Sequence, residues 1–183
     1  MKYEVNSSNI TFNGENLTQF FESINQACKK YHIEYYVVGA FARDILLENI
    51  YGQPTGIATR DIDIAITVAN WEEYSNLITE LILQHNFCRG ENPHNYISPE
   101  NIFIDIIPYG KIESDRTISF PPNFDTVMNM LGFQEVYTST ITIVLDKKVE
   151  IQLASMEGIA LLKFIAWKDR IPDSISLKSM SKI

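Results

Sequence analysis

Three short apolar segments, separated by amphipathic helical segments, constrain the fold of this chain more than any other feature. The strand-type segments are rich in β-branched and aromatic residues and cover residues 35–38, 61–68 and 102–108. Apolar residues recur at helical spacing in the intervening and preceding segments, which cover residues 14–32, 41–49 and 71–82. This alternation of helix and strand predicts an α/β fold in which helices cover a sheet.

The remainder of the chain adds strands, a last helix and one loop. Residues 135–146 and 149–153 are β-prone runs, and Ser155 is placed to cap a helix that begins after it. Asn13 is placed in the same way before the first helix. Residues 50–59 contain two glycines and a proline, which predicts a loop.

Length and charge limit the classes of function. The chain has 183 residues, 15 Lys and Arg against 23 Asp and Glu, and a net charge of −8 with histidine neutral. We expect one domain over residues 1–170 and a frayed tail over residues 171–183. The acidic balance argues against broad binding of nucleic-acid phosphates, although a local basic groove is compatible with it.

Cysteine content and hydropathy predict the compartment. Cys28 and Cys88 are too few for a disulfide scaffold and lack metal-ligand spacing, so we expect two reduced thiols. The first six residues contain no apolar signal segment, and the most apolar stretch, residues 158–167, is too short to span a bilayer. The sequence therefore predicts a cytoplasmic protein with no membrane association.

Two acidic residues at the start of the second strand are the first candidates for chemistry. Asp61 and Asp63 are two residues apart and therefore project from the same face of a strand, whereas Ile62 and Ile64 project into a core. Two adjacent carboxylates repel each other, and a divalent cation removes that cost. A solvated strand end is the alternative interpretation of these residues.

Asp105 favours the metal interpretation. It interrupts the apolar run 102–107, where packing gives no reason for a carboxylate. If this strand lies beside the strand of Asp61 and Asp63, three carboxylates converge and suit one or two Mg²⁺ ions. Ligation by oxygen alone favours Mg²⁺ or Mn²⁺ over zinc.

A turn of small residues links the first strand to the next helix. Gly39 and Ala40 let a backbone approach phosphate oxygens, and the following helix start supplies free N–H donors. Arg43 lies one turn into that helix, within reach of either a phosphate or a neighbouring Asp. Lys163 lies inside the apolar last helix, where a lysine either extends its amine to solvent or meets an anion.

Taken in order, these motifs resemble the nucleotidyltransferase superfamily of the DNA polymerase β type. Residues 39–44 together with Asp61 and Asp63 are also similar to the Gly-Gly-x-x-Arg-Asp and Asp-x-Asp motifs of CCA-adding enzymes. A closer match, over residues 34–170, is to the bacterial AbiEii-type toxin family of nucleotidyltransferases. Its further matching segments are Thr59–Asp63, Ile104–Gly110, Met130–Phe133 and Leu161–Arg170.

The resemblance implies a polymerase-β-like fold, with a mixed sheet flanked by helices, and a metal-dependent reaction. It implies transfer of a nucleoside monophosphate from an NTP to an acceptor hydroxyl, with release of pyrophosphate. Asp61, Asp63 and Asp105 would bind Mg²⁺ or Mn²⁺, and Asp105 would also activate the acceptor hydroxyl.

The resemblance also implies a nucleotide site and a set of partners. Gly39, Ala40 and Arg43 would contact the nucleotide, and Lys163 and Asp169 match a late lysine and aspartate motif. The toxin family implies a tRNA end as one acceptor and an antitoxin as a partner. A small hydroxylated molecule and a protein side chain are the other acceptors.

Two departures from the family pattern bear on activity. Ala40 stands where the turn usually has Ser or Gly, so only a backbone contact to phosphate is left. The family also normally continues beyond residue 170 with more chain, and no basic tRNA-binding body follows the catalytic part, which disfavours a CCA-adding role. A catalytically weak fold that binds a nucleotide or a partner is one alternative, and a phosphatase with an Asp-x-Asp nucleophile is another.

Overall fold

The structure of the chain is a computed structural model, and it describes residues 2–10, 12, 16–55 and 59–170. The helices are α1 Leu17–Lys30, α2 Gly39–Ile45, α3 Trp71–His85, α4 Phe133–Tyr137 and α5 Met156–Asp169. The strands are β1 Lys2–Val5, β2 Tyr35–Val38, β3 Asp61–Thr67, β4 Cys88–Arg89, β5 Asn95–Ile97, β6 Phe103–Tyr109, β7 Thr117–Ser119, β8 Val127–Asn129, β9 Ile141–Leu145 and β10 Val149–Leu153. No helix in these ranges is both long and apolar enough to cross a membrane.

Eight strands form one mixed sheet in the order β1-β9-β10-β2-β3-β6-β5-β4. The central strand β3 pairs antiparallel with β2 and parallel with β6. Strands β7 and β8 form a separate antiparallel pair. The predicted α/β class, a mixed sheet flanked by helices, is confirmed.

The side-chain alternation of β3 assigns its two faces. Ile62, Ile64 and Ile66 are at most 1% exposed and belong to the buried core, into which α1 and α3 also pack their apolar residues. Asp61 and Asp63 project from the opposite face, where Asp61 is exposed and Asp63 is half-buried. This acidic face carries the candidate site.

Most predicted elements are present, with shifted ends. Asn16, and not Asn13, caps α1, because its side chain accepts the backbone N–H of Gln19; Asn13 itself lies outside the described residues. Ser155 caps α5 as predicted, with its Oγ 3.1 Å from the backbone nitrogen of Gly158. The predicted loop begins after a π-helical turn that extends α2 through Leu46–Ile50, and residues 56–58 are not described. The predicted tail, residues 171–183, also lies outside the described residues.

The prediction of a strand over residues 135–146 is wrong for its first part. Residues 135–137 lie in α4, and the strand starts only at Ile141. Tertiary packing explains the difference. Val136 is buried against α5, where a Cβ atom on Gly158 would lie only 2.8 Å from its Cγ1. The β-branched side chain is therefore used to fix one helix against another, and its β-propensity is overridden.

Candidate functional site

The structure brings two of the three predicted carboxylates side by side. Strands β3 and β6 run parallel as neighbours, with Asp63 in register with Asp105 and Asp61 in register with Phe103. Both Asp63 and Asp105 are partly buried. The sequence predicts convergence of the carboxylates only if these two strands are neighbours, and in the structure they are neighbours.

Asp61 lies on the same face of β3 as Asp63, and its negative charge acts on both Asp63 and Asp105. It is exposed, and its Oδ1 accepts a hydrogen bond of 2.8 Å from the hydroxyl of Thr59. Within residues 2–10, 12, 16–55 and 59–170, no group of three or more His, Cys, Asp or Glu side chains is arranged to hold a metal ion. Thr59 occupies only Oδ1, so Oδ2 of Asp61 remains as the oxygen that could act as a third ligand.

Burial and mutual repulsion make it unfavourable for Asp63 and Asp105 to be negatively charged at the same time. Burial raises the pKa of Asp63 to about 7, and the neighbouring charges of Asp105 and Asp61 act in the same direction. Burial also raises the pKa of Asp105, but a hydrogen bond from Asn95 and the nearby imidazole of His94 oppose this effect. Asp63 is thus the acid whose negative charge is least compensated by protein groups.

The residues fit a divalent cation in donor type and in charge. Carboxylate oxygens are the donors that Mg²⁺ and Mn²⁺ prefer, and adjacent β3 and β6 supply them from Asp63 and Asp105. A cation between these groups would relieve the repulsion that raises the pKa of Asp63.

Gly39 is packed directly against Asp63. It has a φ of +72°, and a Cβ atom at this position would lie 2.0 Å from Oδ2 of Asp63. Glycine adopts a positive φ without strain, and its missing side chain leaves that space open. The sequence predicts that the backbone of Gly39 contacts phosphate. The structure shows in addition that the missing side chain of Gly39 leaves room for the carboxylate of Asp63. Ala40 follows it in α2 and is partly exposed.

Arg43 is paired with the adjacent acid. Its Nη2 lies 2.6 Å and its Nε 2.7 Å from Oδ1 of Asp44, whose side chain is 6% exposed. The other carboxylate oxygen, Oδ2, is buried with no hydrogen-bond partner. Of the two interpretations of Arg43, this structure has the ion pair.

Lys163 and Asp169 line the same cleft as Asp63 and Gly39. This space, which we call the Lys163 cleft, has a volume of about 520 Å³, and α5 forms one wall. Its apolar walls come from β2, β6, α5 and the segment after β7, and they are Val38, Ile107, Met128, Met130, Leu131, Phe133, Ile159, Leu162, Ile165 and Ala166.

The two polar residues of α5 differ in their contacts. Lys163 is exposed and makes no salt bridge with another described residue. Asp169 accepts a hydrogen bond of 2.8 Å from the side-chain amide of Asn129, which also lines the cleft. The amine of Lys163 is therefore available to an anion, whereas Asp169 is engaged with the opposite wall.

Two parts of the site could not be found from the sequence. Asn95 contacts Asp105 from β5, a strand of three residues that is too short to give a periodic signal. The place of Met128 in the cleft wall depends on the pairing of β7 with β8, two strands of three residues each that are too short to give a periodic signal.

Comparison with known proteins assigns the fold. No family model and no curated protein matches the chain. The crystal structure of the lincosamide antibiotic adenylyltransferase LnuA, with lincomycin bound, aligns over 81% of this chain and 86% of its own, with a TM-score of 0.50 and 19% identity. The chain has a nucleotidyltransferase fold.

Two further solved structures align less well. ANT(2")-Ia in complex with adenylyl-2"-tobramycin covers 84% of this chain and 76% of its own, with a TM-score of 0.47 and 14% identity. The Thermotoga maritima CCA-adding enzyme complexed with tRNA covers 49% of this chain and 20% of its own, with a TM-score of 0.32 and 23% identity. Both TM-scores are below 0.5, so the fold assignment rests on the alignment with LnuA, which at 19% identity shows the fold alone.

Proposed function

We propose that this chain is a metal-dependent nucleotidyltransferase. It transfers a nucleoside monophosphate from an NTP to an acceptor hydroxyl and releases pyrophosphate. The observation that carries the proposal is the register of Asp63 and Asp105 on parallel neighbouring strands, with Asp63 also lining the cleft that contains Lys163. A pair of partly buried acids is costly for stability, and metal-assisted phosphoryl chemistry gives it a use.

Asp61, Asp63 and Asp105 are the residues that would hold Mg²⁺ or Mn²⁺. When bound, such a cation neutralises triphosphate charge and lowers the pKa of an acceptor hydroxyl. Asp63 is packed against the Gly39 turn and lines the Lys163 cleft, so its carboxylate is close to the space that a nucleotide would occupy. Asp61 would complete the set through Oδ2, because Thr59 donates to its Oδ1.

The remaining residues have separate roles in the transfer. Asp105 accepts the proton of the acceptor hydroxyl as its oxygen bonds to the α-phosphorus and the bond to the pyrophosphate oxygen breaks. Lys163 places positive charge on the triphosphate, and Gly39 and Ala40 contact it through the backbone. The apolar walls of the Lys163 cleft pack against the base of the nucleotide.

The acceptor is the finer part of the proposal. Similarity to AbiEii-type toxins supports a tRNA end as acceptor, an antitoxin as partner and the cytoplasm as location. LnuA, which shares the fold, is an antibiotic adenylyltransferase with lincomycin bound. We therefore take bulk tRNA and lincomycin as the two acceptors to compare first, with a protein side chain as the third class.

The test measures pyrophosphate release with each of the four NTPs, with Mg²⁺ or Mn²⁺, and with each acceptor. Asp63→Ala is the inactive control, and Asp125→Ala removes an exposed acid of the β7–β8 segment as its match. Release that needs metal, acceptor and Asp63 supports the proposal. Metal-dependent NTP binding without release would instead identify a binding module, the role that the missing hydroxyl at Ala40 favours.

A further inference from the structure

We infer that Asn95 is a positioning residue for Asp105 in the proposed transfer, and the inference rests on that proposed function. Strands β5 and β6 are antiparallel neighbours, and Asn95 is in register with Asp105. The side-chain Nδ2 of Asn95 donates a hydrogen bond to Oδ1 of Asp105. Asn95, Asp105 and Asp63 therefore form one row across three adjacent strands.

The amide of Asn95 can donate to Asp105 in only one orientation. Its Oδ1 accepts a hydrogen bond of 3.1 Å from the backbone N–H of Asn92, so its NH₂ group must face the carboxylate. The reverse orientation would place the amide oxygen against a carboxylate oxygen and the NH₂ group against a backbone donor. Asn92 thus selects the orientation in which Asp105 receives a hydrogen bond.

The backbone around Asn95 is fixed by hydrogen bonds on both sides. The N–H of Gly90 donates to the carbonyl of Asn95 at 2.8 Å, and the N–H of Ile106 donates to the carbonyl of His94 at 2.9 Å. A Cβ atom at Gly90 would lie 2.8 Å from the Cβ of Asn95, so the glycine leaves the space that the asparagine occupies. The turn between β4 and β5 therefore delivers this side chain to one place.

The hydrogen bond distinguishes the two oxygens of Asp105. Oδ1 is occupied by Asn95, whereas Oδ2 lies 3.9 Å from Nε2 of His94, beyond hydrogen-bond length. Oδ2 is then the oxygen presented to the acceptor hydroxyl. Asn95 keeps the carboxylate in one rotamer and does not itself touch the reacting atoms.

Asn95 also stabilises the turn between β4 and β5, because its Oδ1 accepts the backbone N–H of Asn92. Asn95→Asp retains that acceptor and loses only the donor to Asp105, so it separates the two roles. Partners that orient metal ligands or catalytic carboxylates change metal affinity or activity by about 10- to 100-fold when removed. We therefore expect the same size of effect here. Asn95 does not belong to the described lining of the Lys163 cleft, so NTP binding should change little.

The experiment compares Asn95→Ala, Asn95→Asp and a matched control, Asn25→Ala. Asn25 is also half-buried and is hydrogen-bonded to the carbonyl of Glu150 and the hydroxyl of Tyr35, but it is hydrogen-bonded to none of the three candidate metal ligands. Each variant is measured for Tm, for kcat and KM with the preferred NTP, and for affinity for Mn²⁺ alone by electron paramagnetic resonance.

We expect Asn95→Ala to lower kcat and Mn²⁺ affinity by about 10- to 100-fold, with KM for NTP nearly unchanged. Asn95→Asp keeps the size of the side chain but loses the donor, so it should be at least as damaging, whereas a space-filling role would tolerate it. Wild-type kcat and Mn²⁺ affinity in a folded Asn95→Ala variant would overturn the inference. If wild type shows no turnover but Asn95→Ala still binds Mn²⁺ more weakly than wild type does, the positioning role of Asn95 is supported and the transfer itself is refuted.

Discussion

A Cβ atom at position 39 would lie 2.0 Å from Oδ2 of Asp63, so the glycine and the aspartate can coexist only because glycine has no side chain. The contact joins the turn after β2 to the acid of β3. The two features that resemble separate nucleotidyltransferase motifs in the sequence are therefore one packing unit in the structure.

Gly39→Ala should destabilise the protein and displace Asp63. The substitution combines a left-handed φ of +72° with a direct clash, and together these should cost about 3 kcal/mol in free energy of unfolding. Gly52→Ala is the matched control, because Gly52 has a φ of +63° with nothing within 4 Å, so only backbone strain of about 1 kcal/mol remains. Urea unfolding of both variants measures the difference; equal losses would contradict a specific contact with Asp63.

The raised pKa of Asp63 predicts a pH-dependent cost in stability without metal. Burial raises this pKa from 3.8 to about 7, so the folded state holds a proton that the unfolded state has released between these values. Stability is therefore lost as the pH rises from about 4 to about 7. Asp63→Asn should be more stable than wild type by about 4 kcal/mol at pH 8 in EDTA, and nearly equal to it at pH 4.

Chemical unfolding at the two pH values tests this prediction. The gain in the free energy of unfolding of Asp63→Asn should appear only at the higher pH. At the lower pH the aspartate is protonated, and it then has nearly the same size as asparagine and is likewise neutral. A variant that is less stable than wild type at pH 8 would show that the charge of Asp63 is compensated by the protein.

Arg43→Met should lower stability more than it lowers nucleotide affinity. The substitution leaves the buried carboxylate of Asp44 without its cation, which should cost about 2 kcal/mol. Lys2→Met is the control, since the Lys2–Glu150 pair is more than half exposed on both sides and should change stability by less than about 1 kcal/mol. Thermal unfolding and NTP titration decide between the two interpretations of Arg43: weaker binding at an unchanged Tm would assign it to a phosphate.

Lys163→Gln should weaken NTP binding about tenfold with no loss of stability. Its amine lines the cleft without a salt bridge to another described residue, so its removal affects mainly an anionic ligand. Lys168→Gln is the matched control, because Lys168 is exposed on the same helix but is not part of the described cleft lining. Equal affinities for a metal–NTP complex in the two variants would exclude Lys163 from the nucleotide site.

The spacing of apolar residues in the sequence predicted those helices and strands that bury only one of their faces. The alternation in β3 correctly separated Ile62 and Ile64 from Asp61 and Asp63, because burying one face of a strand fixes its period. The same argument could not predict α4, where Val136 is held by contact with Gly158 and not by its neighbours in the chain.

The candidate site was predictable in its residue types but not in its contacts. Asp105 was conspicuous because a charge in an apolar strand is unusual, whereas its donor Asn95 lies in a turn-rich segment with many polar residues. The ion pair of Arg43 with Asp44 and the hydrogen bond of Thr59 to Asp61 depend on side-chain rotamers, which a residue pattern does not encode.

The most direct measurement of the central claim follows the α-phosphate. An NTP labelled at that phosphate is incubated with Mg²⁺ or Mn²⁺ and each acceptor, using wild type, Asp63→Asn, Asp105→Asn and the exposed-acid control Asp125→Asn. The account predicts label covalently attached to one acceptor by wild type and by the Asp125 variant. It predicts at least a hundredfold loss in the other two variants while they remain folded. Labelling that persists in folded Asp63→Asn and Asp105→Asn proteins would contradict the account.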